Sequence, residues 1–499
     1  MYDKESKKGL TRRGFIKGAA VGFGATTMFA GFDPKDVMAK VPKKWDVMAD
    51  IVVVGAGGAG LAAATEASSR EAKVVVIEKT PAIGGSSTIC GGALAFAGTD
   101  MQAEQGIKDS NELLYKDMMA VGENMNVPAL VQAYVDNQME TYKRLKQLGV
   151  NFLSISIASG MSVPRSHNVK PSEVIKILSN AARAKGTKIF LDTAGQKLVM
   201  DDTTGKIRGV IAEKKGKKIS YGARKAVILT SGGFSRNKII LAKFVPPMAM
   251  ARVINGLGNY GDGLKMAWAY GADIQDMPYI KATFGFQPNA TTIAEDFALV
   301  FYQGAIIVNK GGKRFVNESK SYKLVGDAAL VQTDALGFQV YDSPIREKTK
   351  SDPLSAIDSL EKRGLIYNAS TLAELAQKMD VPLATLEETV KEYNTNVEKG
   401  IDPQFGRTTL VASFGKPVKI ETPPFYGFPS VAVILGTYGG ILINNKAQVI
   451  DVFGNVIPGL YAAGEITGGV HGAAYMTGTG FGKTQIFGRI AAKNAVAGS

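Results

Sequence analysis

Short apolar runs separated by glycine-rich turns set the pattern of the first half of the chain. Residues Ile51–Val54 are all apolar and β-branched, as expected of a strand buried on both faces. The alanine-rich stretch Leu61–Ser69 predicts a helix, and Lys73–Ile77 predicts a second strand. The order strand, helix, strand indicates an α/β domain of the nucleotide-binding kind.

The turn between the first strand and its helix has the spacing of a dinucleotide-binding loop. Its glycines are Gly55, Gly57 and Gly60, in G-x-G-x-x-G order. The first permits the tight turn, the second lets a pyrophosphate approach the backbone, and the third lets the helix pack close to the strand. The amino end of the helix then faces the phosphates. We therefore predict that residues 55–60, with Gly58 and Ala59 among them, bind a dinucleotide.

The second strand ends in a carboxylate, Glu78, which lies 18 residues after Gly60. A carboxylate there accepts hydrogen bonds from a ribose 2′-hydroxyl, which favours a nucleotide without a 2′-phosphate. The alternative is a tight βα turn that binds nothing. Strand, turn, helix, second strand and terminal acid together make that alternative much the weaker one.

The rest of the chain predicts two domains, one inserted into the other. Strands at Lys188–Leu191 and Lys225–Leu229 and a last helix ending near Ala497 continue the nucleotide-binding pattern. Residues from about 280 to 428 do not continue the pattern of short apolar runs separated by glycine turns. There we expect longer loops and two helices, Leu372–Lys378 and Ala384–Lys399. The predicted division is 44–280 and 429–499 for the nucleotide-binding domain and 281–428 for the inserted domain.

The amino-terminal residues predict an export signal. Thr11–Lys17 contains Arg12-Arg13, and an uncharged, mildly apolar run, Ala19–Phe32, follows. This is the pattern of a twin-arginine signal peptide over residues 1–39, with cleavage after Ala39. The route carries folded proteins, so a cofactor-loaded enzyme would reach the periplasm or another extracytoplasmic space. The alternative is a chance arginine pair before a buried helix.

The cysteine, histidine and charge content of the chain limits the redox centres and partners that it can have. The 499 residues suffice for two or three domains. With Cys90 as the one cysteine, the chain holds no intrachain disulfide, haem attachment motif or iron–sulfur cluster, and with two histidines a metal site is disfavoured. Electrons must therefore come from a separate molecule. The net charge of +14 is spread along the chain, so we expect no nucleic-acid binding.

Several of these motifs, taken in order, resemble one family. They are the Gly55 turn with Glu78, the double-glycine segment 84–92, Thr230–Phe234, Gly261–Gly263, Gly304–Asn309, Arg314–Glu318 and Tyr461–Glu465. Together they are similar to the fumarate reductase/succinate dehydrogenase-type flavoproteins, which include soluble fumarate and urocanate reductases and 3-ketosteroid dehydrogenases. The resemblance covers nearly the whole mature chain.

The resemblance implies a Rossmann-type FAD-binding domain of the glutathione reductase kind, interrupted by an α+β catalytic domain. The substrate would lie between the two domains, at flavin N5. FAD would be non-covalent, because no histidine stands near Ser86–Thr88 to carry it. The residues so assigned to FAD are Gly55, Gly57, Gly58, Ala59, Gly60, Glu78, Lys79, Gly84, Gly85, Ser86, Ser87, Gly91, Gly92, Gly195, Ser231, Gly232, Asp262, Gly464, Glu465 and Gly480.

The chain departs from the fumarate reductases where those enzymes hold and protonate a dicarboxylate. The clamp and proton-path positions fall on uncharged residues, namely Thr283, Phe297, Ala298, Phe301, Tyr322, Gly436 and Tyr475. A dianion buried there without compensation costs several kcal/mol or more. A dicarboxylate substrate is therefore disfavoured.

Two of the replacements, Tyr322 and Tyr475, resemble the catalytic tyrosines of the ketosteroid dehydrogenases. By that resemblance Tyr322 exchanges a proton at the carbon α to a carbonyl, while hydride moves at the β carbon. A phenol with a pKa near 10 gives a proton readily. Tyr475 would donate a hydrogen bond to the carbonyl oxygen, where enolate charge develops. Thr479 replaces a glycine of that oxyanion site, which weakens the case for a steroid.

The sequence hypothesis is a secreted FAD oxidoreductase that reduces or forms a C=C bond conjugated to a carbonyl on a largely apolar, enone-like molecule. Its electron donor or acceptor would be external and linked to a cytochrome or a quinone; export favours reduction. Two alternatives stay open. One is a fumarate- or urocanate-type carboxylate reductase with an altered clamp. The other is a non-catalytic flavin protein that transfers electrons or assists assembly.

Overall fold

The structure is a computed structural model that describes residues 38–280, 282–291, 295–320, 322–351, 356–410 and 415–498. The predicted twin-arginine motif and the apolar run Ala19–Phe32 lie outside these residues.

Strands and helices are numbered here in chain order. The strands are β1 (Met38–Ala39), β2 (Val47–Val54), β3 (Val74–Ile77), β4 (Ala93–Ala95), β5 (Ser154–Ser156), β6 (Ser166–Asn168), β7 (Lys188–Phe190), β8 (Ala194–Met200), β9 (Ile207–Lys214), β10 (Lys217–Leu229), β11 (Arg252–Val253), β12 (Ile274–Gln275), β13 (Ala282–Phe286), β14 (Ile306–Val308), β15 (Leu336–Asp342), β16 (Tyr367–Ala369), β17 (Phe425–Ile434), β18 (Gly440–Ile441), β19 (Gln448–Ile450) and β20 (Val456–Ala462). The α-helices are α1 (Gly58–Ser69), α2 (Asp100–Glu104), α3 (Asn111–Val121), α4 (Pro128–Gln147), α5 (Pro171–Ala184), α6 (Lys238–Phe244), α7 (Asp262–Trp268), α8 (Tyr322–Leu330), α9 (Ser343–Lys348), α10 (Ile357–Lys362), α11 (Leu372–Met379), α12 (Leu383–Lys399) and α13 (Thr479–Ala497).

The main sheet contains the predicted strand–helix–strand unit. Within the described ranges it has nine strands, and β7, β3, β2, β10 and β20 run parallel in that order. The first half of the long strand β10 pairs with β9 and the second half with β20. The carboxyl ends of β2, β3, β10 and β20 therefore meet at one edge of the sheet. In open α/β sheets, ligands bind at this edge.

Helix α1 is buried along nearly its whole length, from Gly58 to Ser68. Helix α13 crosses it so closely that a Cβ on Gly488 would lie 2.5 Å from the carbonyl oxygen of Ala59. On another side, Thr65 Oγ1 donates a hydrogen bond to the carbonyl oxygen of Leu178 in α5, at 3.0 Å. The alanine-rich sequence of α1 is explained by this packing, because small side chains let helices approach closely.

A second sheet lies in the region where the sequence pattern predicted longer loops and two helices, and it fits the α+β domain that the family resemblance implied. Among the described residues it has six strands, with β17 central: β11, β13, β15 and β16 pair with β17, and β14 extends from β15. Strand β17 is buried along nearly all its length and contains Gly427 and Pro429, which hide the alternation expected of a strand.

The predicted join at 428/429 falls within β17, whose pairing in the second sheet continues to Ile434. A boundary at 428/429 would therefore cut a continuous strand. The arrangement of an inserted domain itself stays a prediction. The described residues include no helix that is both long and apolar enough to cross a membrane.

Candidate active site

The glycines of the first turn have two different roles: two of them allow the backbone to turn, and one leaves room for a ligand. Gly55 has φ +111°, and a Cβ on Gly60 would lie 1.9 Å from the carbonyl oxygen of Gly55. Both positions require glycine for the turn itself. A Cβ on Gly57 would meet only the carbonyl oxygen of Gly84, at 3.8 Å. The space above Gly57 is therefore open, where the pyrophosphate is predicted.

The second glycine segment lies against the first. An isolated parallel β-bridge pairs Gly57 with Gly84, and the backbone N–H of Gly58 donates to Ser87 Oγ at 3.1 Å. Residues Gly85–Thr88 form a single 3₁₀ turn. Gly92, with φ +76°, packs against the carbonyl oxygen of Val169, and Gly91 faces open space. The first part of this segment thus borders the cofactor loop, and Gly92 has a packing role.

The carboxylate of Glu78 is held at the carboxyl end of β3. Its Oε2 accepts from the backbone N–H of Ala56 at 2.8 Å, and its Oε1 accepts from the N–H and the hydroxyl of Thr80. A carboxylate has about four acceptor positions, so Glu78 keeps capacity for a ribose hydroxyl. Lys79 and Asp262, both predicted to bind FAD, form an ion pair of 2.6 Å with each other.

The remaining predicted cofactor residues come from other strands and from the last helix, α13. A Cβ on Gly195 would meet Val54 and Ile77, and one on Gly464 would lie 2.8 Å from the Cβ of Ala59. Ser231 and Gly232 follow the end of β10 after one residue, Thr230. Gly480 lies in the first turn of α13, with open space around it. Chain segments far apart in sequence thus converge on the first glycine turn.

Two buried hydroxyl groups fit the presence of a polar ligand. Within the described part of the protein, Ser231 Oγ and Thr88 Oγ1 are buried and have no hydrogen-bond partner. Buried polar groups are nearly always hydrogen-bonded. Both lie in predicted cofactor segments, and FAD carries ribityl, ribose and pyrophosphate oxygens that could satisfy them. The residues present therefore fit FAD.

A hydrogen-bond network that the sequence did not reveal connects the cofactor segments to the loop after β17. Asn259 Nδ2 donates to Ser86 Oγ at 3.1 Å and to Glu465 Oε2 at 3.0 Å. Glu465 Oε1 accepts from the backbone N–H of Thr437 at 3.0 Å. Burial raises the pKa of Glu465, and the Thr437 and Asn259 hydrogen bonds partly oppose that rise. A single carboxylate thus connects two loops of the site.

Lys483, in α13, is the buried cation of this network. Its Nζ donates to the carbonyl oxygen of Thr467 at 2.6 Å, and the carboxylates of Asp276 and Glu465 attract it. Asp276 in turn accepts from the backbone N–H of Gly469 at 2.9 Å. Burial outweighs both carboxylates and lowers the pKa of Lys483 to about 8. A lysine at the start of a glycine-rich helix was the only sequence signal for this role.

Three aromatic rings form the candidate substrate side. Tyr438 contacts His471 and Tyr475, with ring centroids 6.0 and 5.3 Å apart, and the His471 and Tyr475 rings are 5.7 Å apart. Tyr438 directly follows Thr437, which Glu465 holds. Tyr475, predicted to polarise a carbonyl, therefore lies in an aromatic cluster joined to the cofactor segments. The sequence did not single out Tyr438.

Two buried arginines near these segments already have partners. Arg165 lies 3.8 Å from the sulfur of Met476, the neighbour of Tyr475, and pairs with Asp109 and Asp117 at 2.7 and 2.5 Å. Arg407 donates to the carbonyl oxygens of Phe301 and Ala305. Two carboxylates thus hold Arg165, whereas among the described residues the Nε of Arg407 is buried without a hydrogen-bond partner.

Of the other replaced clamp positions, Thr283, Ala298 and Phe301 are buried, and Phe297 and Gly436 are half-buried. Thr283, Ala298 and Phe301 are at most 4% exposed, and the Phe297 ring lies 4.6 Å from that of Phe286. None of these side chains carries a charge, and all but Thr283 are apolar.

Tyr322 is the first residue of α8, but its side chain lies outside the described residues. Helix α8 packs tightly on β13, since a Cβ on Gly326 would lie 2.3 Å from the carbonyl oxygen of Ala282. The loop before the helix is anchored by the buried ion pairs of Arg314 with Glu318 and Asp402, at 2.7 and 2.9 Å. The charged residues of the Arg314–Glu318 motif are thus used for structure.

The surroundings of His167 and Cys90 indicate that both residues stabilise the fold. His167 is fully buried, with Nε2 2.8 Å from Thr99 Oγ1 and Nδ1 2.9 Å from the carbonyl oxygen of Arg165. Burial lowers the pKa of His167. Burial also raises the pKa of the Cys90 thiol to about 11, which makes a nucleophilic thiolate unfavourable.

A family model described as an FAD binding domain matches residues 50–481, most of the chain. The chain belongs to this FAD-binding family. The fumarate reductase (cytochrome) of Shewanella frigidimarina is 34% identical over 451 residues, which are 89% of this chain and 76% of that protein. The family assignment makes FAD the cofactor and the chain an oxidoreductase acting on C=C bonds.

Solved structures agree with this family assignment. The structure of the open conformation of a flavocytochrome c3 fumarate reductase matches with a TM-score of 0.80 at 31% identity. The match covers 91% of this chain and 79% of the flavocytochrome chain. The 3-ketosteroid-delta4-(5alpha)-dehydrogenase from Rhodococcus jostii RHA1 has a TM-score of 0.73 at 26% identity and covers 92% and 99%. The predicted family, α/β FAD-binding fold and cofactor are confirmed; the roles of individual residues stay predictions.

Proposed function

We propose that this FAD enzyme reduces a C=C bond conjugated to a carbonyl on a substrate without a second carboxylate. The observation that carries the proposal is the aromatic cluster of Tyr438, His471 and Tyr475 beside the cofactor segments. Gly436 and Tyr475 occupy positions that the resemblance assigns to a cationic clamp. Rings and a phenol suit one carbonyl oxygen and an apolar body, because they offer a hydrogen bond without a charge.

The FAD held by these segments would supply hydride chemistry at the β carbon of the substrate once the external donor has reduced it by two electrons. The protein residues would do the rest. Tyr475 would donate its O–H to the carbonyl oxygen and stabilise the negative charge that develops there. Tyr322, at the start of α8, would give a proton to the α carbon. One hydride and one proton add across the C=C bond, so the product is the saturated carbonyl compound.

A substrate screen tests this function. The purified protein, loaded with FAD, is supplied with a reduced viologen dye and offered enones, cinnamate-like acids and fumarate. We expect dye oxidation with the enones. Oxidation with none of the carbonyl-conjugated alkenes would contradict the proposal.

A carboxylate reductase with an altered clamp is the second candidate, and the 34% identity to a fumarate reductase favours it. Such an enzyme would oxidise the dye with fumarate or with a cinnamate-like acid in the same screen. Preference for a monocarboxylic acid would place the carboxylate where we place the carbonyl, and Tyr475 would keep its role. Preference for fumarate would require a cationic clamp that the sequence comparison did not identify.

The electron donor and the location are also proposals. Because the chain has one cysteine, it has no Cys-x-x-Cys-His haem attachment motif and cannot ligate an iron–sulfur cluster, and we propose an external donor linked to a cytochrome or a quinone. Arg12-Arg13 supports export by the twin-arginine route. Replacing both arginines with lysine should leave unprocessed protein in the cytoplasm. Unimpaired export of that double variant, measured by cell fractionation, would refute the proposed route.

A further inference from the structure

A basic corner lies at the end of the main sheet opposite to the glycine turns. It comprises seven lysines: Lys40, Lys43, Lys44, Lys214, Lys215, Lys217 and Lys218. The last four form the tip of the β9–β10 hairpin, Lys-Lys-Gly-Lys-Lys, where Lys214 pairs with Lys217. All seven except Lys214 are exposed, and Lys214 is half-buried.

Contacts between two chain segments bring these lysines together. Asp46 Oδ2 accepts from the backbone N–H and the hydroxyl of Ser220, at 2.8 and 2.7 Å. Strands β2 and β10 run parallel, with Val47 opposite Tyr221. Asp46 and the residues just before it therefore approach the start of β10, where Lys217 and Lys218 lie. Ala39, Asp46, Lys197 and Lys218 also line one shallow groove.

The basic corner combines excess positive charge with exposed apolar side chains. Its seven lysines are accompanied by only two carboxylates within residues 38–46 and 213–218, Asp46 and Glu213. Asp46 is already hydrogen-bonded to Ser220. Val41 and Met48, on the same segment as Lys43 and Lys44, are 45% and 41% exposed. Lysines around exposed apolar side chains suit the headgroup region of an anionic bilayer.

We propose that the basic corner docks the enzyme on a membrane surface rich in anionic phospholipid. The corner begins at Lys40, so it would remain after cleavage at Ala39. It also lies where residues 1–37 join the described chain. Docking there would hold the protein peripherally, with the FAD edge of the sheet facing away from the lipid.

An acidic electron-carrier protein would also complement the charge of the basic corner. The distance from the corner to the FAD edge of the sheet argues against that partner. Strand β10 runs from Lys217 at the basic corner to Leu229 at the FAD edge. At roughly 3.3 Å per residue, these ends are at most about 40 Å apart, because β10 has an irregularity between Ala223 and Ala226. A carrier docked at the corner would lie too far from the flavin for direct electron transfer. The corner therefore suits attachment better than electron delivery.

Vesicle co-sedimentation of the FAD-loaded, full-length protein tests the proposal. The vesicles are phosphatidylethanolamine with roughly one third phosphatidylglycerol, and pure phosphatidylcholine serves for comparison. Salt is set at about 0.01 M, where the Debye length is about 30 Å, and at about 1 M, where it is about 3 Å. We expect binding to the anionic vesicles at low salt, release at high salt, and little binding to phosphatidylcholine.

The deciding variant is Lys214→Gln/Lys215→Gln/Lys217→Gln/Lys218→Gln, which should lower the partition coefficient roughly 1,000-fold. The matched control, Lys362→Gln/Lys391→Gln/Lys399→Gln/Lys416→Gln, removes the same charge from exposed sites of the second sheet's region and should change it less than about threefold. Flavin absorbance and thermal midpoint confirm that both variants fold.

Two results would overturn the proposal. Equal losses in both variants would mean that net charge alone causes binding. Parental binding by the hairpin variant would exclude lipid as its occupant and leave an acidic protein as the candidate.

Discussion

The cofactor side and the substrate side of the site are built from different kinds of groups. The cofactor side has glycine turns, buried hydroxyls without partners such as Ser231 Oγ, and a buried network around Glu465 and Lys483. The substrate side has rings, Tyr438, His471 and Tyr475, which contact one another edge to face or tilted. One side is suited to a charged dinucleotide and the other to an apolar molecule with one polar group.

This difference indicates which part of the enzyme sets its specificity. A pyrophosphate needs close backbone approach, and only a few local turn sequences provide it. The substrate side needs only shape and one or two hydrogen-bond donors, so its residues can change while the cofactor side stays the same. The family assignment therefore defines the FAD chemistry, and the aromatic cluster is the place to look for the substrate.

The largest expected effect is on the cofactor side. Gly57→Val should abolish FAD binding, because the new side chain fills the space predicted for the pyrophosphate. The variant should still fold, since a Cβ at Gly57 meets only the carbonyl oxygen of Gly84 at 3.8 Å. Flavin absorbance and circular dichroism of the purified variant check both points. A folded variant that keeps its flavin would remove Gly57 from the cofactor side.

Gly60→Ala is the contrasting variant on the same turn. Its Cβ would lie 1.9 Å from the carbonyl oxygen of Gly55, so the backbone must move. We expect loss of stability together with loss of flavin. A Gly60→Ala protein with parental thermal stability would show that the turn adapts.

Next in size is the proposed proton donor on the substrate side. Tyr322→Phe removes the hydroxyl and keeps the ring, and should lower turnover about 10²–10⁴-fold with unchanged flavin content. The measurement is steady-state turnover with the best substrate of the screen. Turnover at the parental rate would exclude Tyr322 as the acid.

A smaller loss is expected at the proposed carbonyl donor. Tyr475→Phe removes one hydrogen bond to the developing oxyanion, which is worth about 10²–10³-fold in turnover. Tyr260→Phe is the matched control: Tyr260 is exposed, lies over Lys79 Nζ at 4.8 Å, and should be nearly neutral. If both variants lose activity equally, the effect is not specific to the substrate side.

The smallest expected effect concerns pH and stability. The folded pKa of Lys483, about 8, lies below its unfolded value near 10.5, so between these values the unfolded state binds more protons. Stability from this group therefore rises with pH in that window, by at most about 1.4 kcal/mol per pH unit.

Urea unfolding from pH 7 to pH 9.5 measures this slope. The stability difference between the parent and Lys483→Met should increase with pH, by about 2 kcal/mol at most. Lys493→Met, at the partly exposed ion pair with Glu140, is the matched control variant. A flat difference for Lys483→Met would mean that Lys483 keeps its proton across the window.

The elements around the first glycine turn could be predicted because local sequence dictates them. A β-branched run, three spaced glycines and an alanine-rich helix each have one favourable structure, and β2, α1 and β3 match them closely. The helices α11 and α12 were also predicted, within two residues at each end. Amphipathic or small-residue periodicity is sufficient for such elements.

The second sheet and the buried network could not be predicted in the same way. The second sheet depends on pairing between β13, β15 and β17, which are distant in sequence, and β17 is buried on both faces. The contacts of Lys483 with Thr467 and of Asn259 with Glu465 likewise form only after folding. No local period marks such contacts, so a single sequence does not reveal them.

The most direct test of the substrate side is stopped-flow oxidation of the reduced enzyme. The flavin of the parent protein is reduced under anaerobic conditions and mixed with an enone or with fumarate at equal concentration, and flavin absorbance reports its reoxidation. An uncompensated dianion costs several kcal/mol, so the enone should react about 100-fold faster or more. Reoxidation by fumarate at an equal or greater rate would contradict a carbonyl substrate held by phenols.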